Sequence, residues 1–166
     1  LLVDRSGSMG GEPLATSAVA AASIAWRSPN DYSVLSFGKE VVAAKSQDAH
    51  KSNEGVVDAV LALRGFGTTD VAGALAAARE QLGRSRAARK ITILLSDCRA
   101  TAHGSGDAES AIGVAVAARQ VEELLIIAPA DDDEAARELA AATGSRITTV
   151  TGPSDAAAAL ARVLDT

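Results

Sequence analysis

The chain has 166 residues, which is enough for one compact domain with a hydrophobic core and too few for two. Apolar residues make up 48% of it but aromatic residues only 2%, so the interior must consist of small aliphatic side chains packed closely between helices and a sheet. The formal net charge of -5 disfavours phosphate backbones and no basic stripe offsets it, so we expect no nucleic acid partner.

Two further sequence features concern location. No apolar run approaches the roughly 20 residues that a membrane span requires, so we expect no span in this segment. The single cysteine, Cys98, excludes a disulfide within the chain and fits a reducing compartment, which predicts a cytoplasmic location. Because the sequence opens at Leu1 inside an apolar run, we expect residues 1–166 to form a single domain whose N-terminus is truncated.

The first half of the chain predicts short strands and amphipathic helices. Residues 1–3 form an apolar run that ends at Asp4, and a Ser/Gly-rich turn follows. Helical spacing of apolar residues predicts helices over 14–27, 53–63 and 71–82. Two β-rich runs over 32–37 and 40–44 are separated only by Gly38 and Lys39, which predicts an antiparallel hairpin at the edge of a sheet.

The second half alternates strands and helices more regularly. Strands are expected over 91–95, 124–128 and 147–150, and helices over 107–119, 134–143 and 155–164. The first of these strands is apolar apart from Thr92, as expected for a central strand with both faces covered. The alternation predicts an α/β fold with three α/β/α layers, in which a doubly wound, mostly parallel sheet carries one antiparallel edge strand.

Two carboxylates stand where ligands bind in such sheets. Asp4 and Asp97 each follow an apolar strand, and right-handed connections would make those two strands neighbours at the point where the strand order reverses. Asp4, Ser6 and Ser8 alternate along the turn, so their side chains can converge on one point while the residues between them turn away. The pattern indicates a small cage of oxygen atoms.

The chemistry of this cage favours magnesium, with manganese and calcium as alternatives. Mg²⁺ prefers octahedral oxygen coordination with few carboxylates, whereas Ca²⁺ takes more oxygens and more charge. The hydroxyls of Ser6, Ser8 and Thr69 with the carboxylates of Asp4 and Asp97 match the first pattern better. Because neutral hydroxyls leave the cation short of negative charge, an Asp or Glu carboxylate from a protein partner is the natural additional ligand.

The motifs that carry this cage resemble those of a known family. Asp4-Arg5-Ser6-Gly7-Ser8-Met9, then Gly67-Thr68-Thr69-Asp70, then Leu94-Leu95-Ser96-Asp97 closely resemble the von Willebrand factor type A domain, over essentially the whole chain. The resemblance implies a sheet ordered 3-2-1-4-5-6 and a metal-ion-dependent adhesion site. Asp4, Ser6 and Ser8 would be its first-loop ligands, Thr69 the second-loop ligand and Asp97 the last carboxylate.

Two positions depart from the family pattern. The doublet Thr68-Thr69 leaves two registers for the threonine ligand, and we choose Thr69 because the hydroxyl normally directly precedes an Asp, Asn or similar residue. Cys98 stands where the family usually has glycine, so a left-handed backbone there would be strained.

Several residues near these motifs also have a structural explanation. The serines of the first loop can cap the following helix, and Asp70 can either orient the loop from behind a metal ligand or cap the helix that starts at Val71; we favour the cap. The acidic run of residues 131–134 is interpreted as favourable pairing with a helix N-terminus, in preference to a second cation site.

The resemblance also implies a function. Bacterial intracellular relatives commonly serve as adaptors for AAA+ ATPases of the MoxR and magnesium-chelatase types, so we expect a non-enzymatic, metal-dependent protein-binding module. The alternatives are a magnesium-dependent phosphoryl-transfer or hydrolytic enzyme, and a secreted or surface adhesin. The enzyme is disfavoured because the chain has neither a Gly-x-x-x-x-Gly-Lys-Ser/Thr loop nor a Gly-x-Ser-x-Gly frame.

Overall fold

The computed structural model describes residues 1–6, 12–64, 67–100 and 107–165. Within these ranges, strands and helices alternate as the sequence predicts, apart from the hairpin and the pair of helices that follows it. The elements in chain order are β1 (Leu2–Asp4), α1 (Glu12–Arg27), β2 (Val34–Phe37), β3 (Val41–Lys45), α2 (Asn53–Leu61), α3 (Val71–Leu82), β4 (Thr92–Leu95), α4 (Asp107–Ala118), β5 (Leu124–Pro129), α5 (Glu134–Thr143), β6 (Arg146–Val150) and α6 (Pro153–Leu164).

The strands form one six-stranded sheet in the order β3-β2-β1-β4-β5-β6. Strand β3 runs antiparallel to β2, and the other neighbouring pairs are parallel. The predicted α/β class, strand order and antiparallel edge are therefore confirmed. The order reverses between β1 and β4, so the carboxyl ends of these two strands flank the crevice where open parallel sheets bind ligands.

Helices cover both faces of the sheet, and strand β5 shows how the two cores are divided. Leu125 and Ile127 point into the core formed with α1, α2 and α6. Leu124 and Ile126 point into the other core, with α3, α4 and α5. Alternate residues of a strand face opposite sides, so a strand buried on both faces must be apolar throughout, as this one is.

Alanines replace aromatic residues in this packing. The buried face of α1 includes Ala18, Ala20, Ala21 and Ala25, and the helix lies against α2 and α6. Small side chains allow the helices to approach closely, which compensates for the low aromatic content. Phe37, at the end of β2, is the bulkiest of the fully buried side chains.

The structure differs from the sequence prediction mainly at element ends. Glu40, expected to begin the second hairpin strand, lies in the turn, because the amide of Gly38 donates to the carbonyl of Glu40 at 3.1 Å. Helix α6 begins at Pro153 instead of Asp155, since the fixed φ of proline suits the first turn of a helix. Among the described residues, no helix is both long enough and apolar enough to cross a membrane.

Candidate metal centre

The site begins with the register of two central strands. Val3 of β1 pairs with Leu95 of β4, so Asp4 lies opposite Ser96 and Asp97 follows one residue later. Asp4 and Asp97 are only 2% and 3% exposed. Two carboxylates that are 93 positions apart in the sequence thus lie at adjacent strand ends, as predicted, and both are withdrawn from solvent.

Both oxygens of the Asp4 carboxylate accept hydrogen bonds. The backbone amide of Ser6 donates to Oδ1 at 2.8 Å, and the Ser96 hydroxyl donates to Oδ2 at 2.5 Å. Ser96 is fully buried, and its Oγ in turn accepts from the Cys98 amide at 2.9 Å. The Ser96 hydroxyl therefore links the end of β1 to the loop after β4 and fixes the orientation of the carboxylate.

Asp97 repeats the local geometry of Asp4. Its Oδ1 accepts from the amide of Arg99 at 2.9 Å, so each carboxylate receives the amide two residues ahead of it. Such Asx turns are a favoured way for aspartate to reverse the chain after a strand. Because each turn holds the carboxylate at a strand end, both side chains are positioned by their own loops before any ligand binds.

The loop that carries Thr69 is attached to the same edge of the sheet. The amide of Asp70 donates to the carbonyl of Gly38 at 2.8 Å, and the Thr68 carbonyl and the Arg5 side chain both pack against Gly38. Thr69 is 3% exposed, whereas Thr68 is exposed. The buried threonine is the one chosen from the sequence, and its role as a metal ligand stays a prediction.

Asp70 caps the following helix. Its Oδ1 accepts from the amide of Gly73 at 2.8 Å, and helix α3 begins at the next residue. This satisfies one of the backbone donors that the first turn of a helix leaves without a partner. The favoured interpretation of Asp70 as a helix cap is therefore seen directly. Its weaker assignment, as a residue that orients a metal ligand without binding the metal itself, stays a prediction.

Replacing Asp70 by alanine separates these two roles. We expect the free energy of unfolding to fall by about 1 kcal/mol, the usual cost of losing an N-cap. If Asp70 acts only as a cap, Mg²⁺ affinity should be unchanged; a residue that orients a metal ligand would lower it by about 10- to 100-fold. Urea denaturation and calorimetric titration measure the two quantities on the same sample, with Ser52→Ala, which removes the cap of α2, as the matched control.

The electrostatics of the site are those of buried negative charge. Burial raises the pKa of Asp4, the hydrogen bonds from Ser96 and Ser6 oppose this, and the charge of Asp97 raises the pKa further. The charge of Asp97 therefore disfavours ionisation of Asp4, because like charges repel. Holding Asp4 ionised therefore costs free energy, which a cation bound beside it would offset.

Cys98, the residue after Asp97, has an unusual backbone conformation. Its φ is 62°, in the left-handed region that the family pattern reserves for glycine, so the strain expected from the sequence is present. The thiol is buried, and burial together with the charges of Asp97 and Asp4 raises its pKa. A thiol held protonated in this way is a poor nucleophile.

The arrangement suits a small divalent cation. Asp4, Ser6, Thr69 and Asp97 are all buried oxygen-bearing side chains at the carboxyl edge of the sheet, whereas Ser8 lies outside the described residues. No group of three or more His, Cys, Asp and Glu side chains within the described ranges is placed so that it could hold a metal ion, so a cation here would depend on hydroxyls and water as well as two carboxylates. That donor set fits Mg²⁺ or Mn²⁺ better than Ca²⁺.

Sequence reasoning did not assign a role to Ser96. The residue belongs to the Leu-Leu-Ser-Asp motif, yet its contact with Asp4 depends on the pairing of β1 with β4. A signal was available, because a serine between a buried strand and a candidate ligand is unlike the apolar run before it. Ser96 supports the site by orienting Asp4.

The fold and the buried carboxylate pair define a doubly wound α/β domain with a candidate cation site between β1 and β4, where the strand order reverses. Residues 1–100 match the family model of the von Willebrand factor type A domain, and the chain belongs to that family. Domains of this family generally act as protein-interaction modules, and divalent metal ions are common in them. No curated protein matches the chain significantly.

Solved structures show the same fold at low sequence identity. A von Willebrand factor type A protein of Catenulispora acidiphila is 17% identical with a TM-score of 0.71, and the match covers 97% of this chain but only 40% of that one. Manganese-loaded TRAP protein of Plasmodium vivax gives 17% identity and a TM-score of 0.71 over 96% and 69% of the two chains. BatB of Bacteroides thetaiotaomicron is 12% identical with a TM-score of 0.72, and the match covers 99% of this chain and 95% of that one.

Proposed function

We propose that this domain binds a protein partner through a divalent cation, Mg²⁺ in the first instance, and performs no chemistry on that partner. The ligands would be Asp4, Ser6, Ser8, Thr69 and Asp97, directly or through water. The observation that carries the proposal is the pair of buried carboxylates at adjacent strand ends, each held by the amide two residues ahead. A bound cation would retain a position for a carboxylate from the partner.

The charge balance explains why an acidic partner residue would dominate affinity. The two carboxylates only balance the formal charge of a divalent cation, and the hydroxyls add none, so the occupied site has no excess negative charge to repel an acidic residue of the partner. An Asp or Glu from the partner adds a charged ligand in a crevice where solvent is largely excluded, so its attraction to the cation is stronger than in water. Truncating that single residue should remove most of the binding energy.

The non-enzymatic part of the proposal has its own support. The Cys98 thiol has a raised pKa, and burial beside two carboxylates makes it a poor nucleophile. His50 is exposed in the connection between β3 and α2; because β3 runs antiparallel, this connection starts at the edge of the sheet opposite the carboxyl ends of the parallel strands. Among the described residues, neither Cys98 nor His50 is therefore an activated nucleophile or base beside the candidate cation.

The partner class is proposed from family resemblance. We propose a cytoplasmic adaptor that holds an AAA+ ATPase of the MoxR or magnesium-chelatase type, or a substrate of such an ATPase, through one acidic residue. The manganese carried by the TRAP protein is compatible with a site that accepts either ion. An AAA+ ATPase encoded next to this chain would favour the adaptor over a surface adhesin.

Metal binding is tested most directly by its effect on stability. At a free Mg²⁺ concentration about 100 times its dissociation constant, we expect about 2.7 kcal/mol of stabilisation, since only the folded state holds the ligands together. Partner capture should then disappear in excess chelator and return with added Mg²⁺. Capture that is equal with and without chelator would contradict the proposed mechanism.

The same stabilisation should depend on pH. The raised pKa of Asp4 means that the metal-free fold favours the protonated carboxyl, so its stability falls as pH rises from the ordinary range of aspartate through the raised value. The cation requires the ionised form, so Mg²⁺ should raise the melting temperature more near neutral pH than in mild acid. Thermal denaturation across this pH range, with and without Mg²⁺, measures the difference; a shift independent of pH would exclude Asp4 as the ligand.

A further inference from the structure

A cavity of about 310 Å³ adjoins the candidate metal centre on the same edge of the sheet. Its walls come from the amino end of α1 and from the loops after β5 and β6, and Leu95, two residues before Asp97, forms part of its floor. This volume is at the lower limit for sites that hold a whole small ligand. It suits a single large side chain better than a cofactor.

The chemistry of the cavity wall is divided between apolar and acidic groups. Leu95, Pro129 and Val150 supply apolar surface, whereas Glu12 and Asp131 bring carboxylates. Both acids are exposed, and within the described ranges no basic side chain pairs with either of them. This contrasts with the neighbouring acids Asp132 and Asp133, which pair with Arg99 and Arg137.

The net charge of the cavity is negative even after the helix ends are counted. The amino ends of α1 and α6 meet here and contribute about half a positive charge each. Glu12 and Asp131 contribute two full negative charges, so the negative sign prevails. An apolar wall with a negative rim is complementary to lysine and arginine, whose aliphatic stems pack on apolar surface while the charged end reaches the rim.

We propose that this cavity receives a lysine or arginine side chain of the partner, near the carboxylate that reaches the cation. The inference rests on the proposed function and specifies its partner as a segment carrying an acid and a base. Neighbouring strands lie about 4.8 Å apart, which places the cavity about 7 to 10 Å from the crevice between β1 and β4. An extended chain rises about 3.3 Å per residue, so the base should lie two or three positions from the acid.

A displayed peptide library with one fixed aspartate and random flanking residues tests this. Selection on the wild-type domain in excess Mg²⁺ should enrich Lys and Arg two or three positions from the aspartate. Replacing that base by Gln in an enriched peptide should weaken binding about tenfold or more, as for the loss of a charged hydrogen bond. The variant Glu12→Gln/Asp131→Asn should lose the preference, whereas Asp58→Asn/Glu134→Gln, with the same charge change on exposed residues outside the cavity, should keep it.

The outcomes distinguish the two proposals. Magnesium-dependent peptides without a preferred base, or a preference that survives Glu12→Gln/Asp131→Asn, would overturn the cavity assignment and leave the metal mechanism standing. The absence of any peptide whose binding requires Mg²⁺ would overturn both. Loss of Mg²⁺ stabilisation in the Glu12→Gln/Asp131→Asn variant would mean that the cavity holds a cation, and would also overturn the assignment.

Discussion

Replacing Asp4 by alanine should abolish Mg²⁺ binding and magnesium-dependent partner capture while the domain stays folded. The substitution removes one of two buried carboxylates and the acceptor of the Ser6 and Ser96 hydrogen bonds. Residues that merely orient a metal ligand cost about 10- to 100-fold in affinity when mutated, so the loss of a charged ligand should exceed that range. Calorimetric titration with Mg²⁺ measures the affinity, and circular dichroism establishes that the fold remains.

Asp4→Asn provides the sharper form of the same experiment. The amide keeps the shape of the carboxylate but removes its charge. Its oxygen can still accept from the Ser6 amide, and its NH2 group then faces the Ser96 hydroxyl, which can turn to accept. Because burial already raises the pKa of Asp4, the metal-free variant should be at least as stable as wild type near neutral pH. A variant that is stable and still binds Mg²⁺ with unchanged affinity would remove Asp4 from the ligand set.

Replacing Cys98 by valine should lower the free energy of unfolding by about 2 to 4 kcal/mol. A left-handed backbone costs an L-residue about 1 to 2 kcal/mol and is worse for β-branched side chains, and the extra methyl groups must fit a buried position. Because the Cys98 amide donates to Ser96, the distortion should also weaken Mg²⁺ binding. Urea denaturation measures the first effect and calorimetry the second.

Cys98→Gly is the matched control for backbone strain. Glycine adopts the left-handed conformation without penalty, and the relief should roughly balance the lost packing of the thiol. The expected result is stability within about 1 kcal/mol of wild type and unchanged Mg²⁺ affinity. If glycine and valine were equally damaging, the thiol's packing would matter and the backbone conformation would not.

The sequence predicted the architecture because its strongest patterns are local. Strand β5 is a continuous apolar run and strand β4 is apolar apart from Thr92, as expected for strands buried on both faces. Helix α3 was placed at its correct first and last residues, because an aspartate cap precedes it and a glycine follows it. The turn after Gly38 and the ends of several strands and helices required the three-dimensional structure.

The site was predictable in outline and unpredictable in detail. Asp4 and Asp97 could be placed together because both follow strands that the topology makes neighbours. The motif favoured Thr69 over Thr68, but the burial of Thr69 and the exposure of Thr68 depend on how their loop is attached at Gly38. The role of Ser96 likewise depends on the register of β1 with β4.

The acidic residues after β5 show what the sequence could not predict about this edge of the sheet. The sequence interpretation as helix-end charges suits Asp133, which precedes α5 and pairs with Arg137. It gave no indication that Asp131 would line the same cavity as Glu12, because these residues are more than a hundred positions apart, one in a loop and the other at the start of α1. Contacts between distant loops at a sheet edge follow from topology and packing, and no local pattern records them.

The hydrogen bond from Ser96 to Asp4 joins two loops that are 92 positions apart in the chain. Each loop can open locally at a low free-energy cost. An ion bound by both loops would allow them to open only in one event in which both release the ion. Amide hydrogens beside Asp4 and beside Asp97 would then exchange with solvent at one common, slower rate once the ion is bound. The bound ion would therefore couple the local opening of the first half of the sheet to that of the second half.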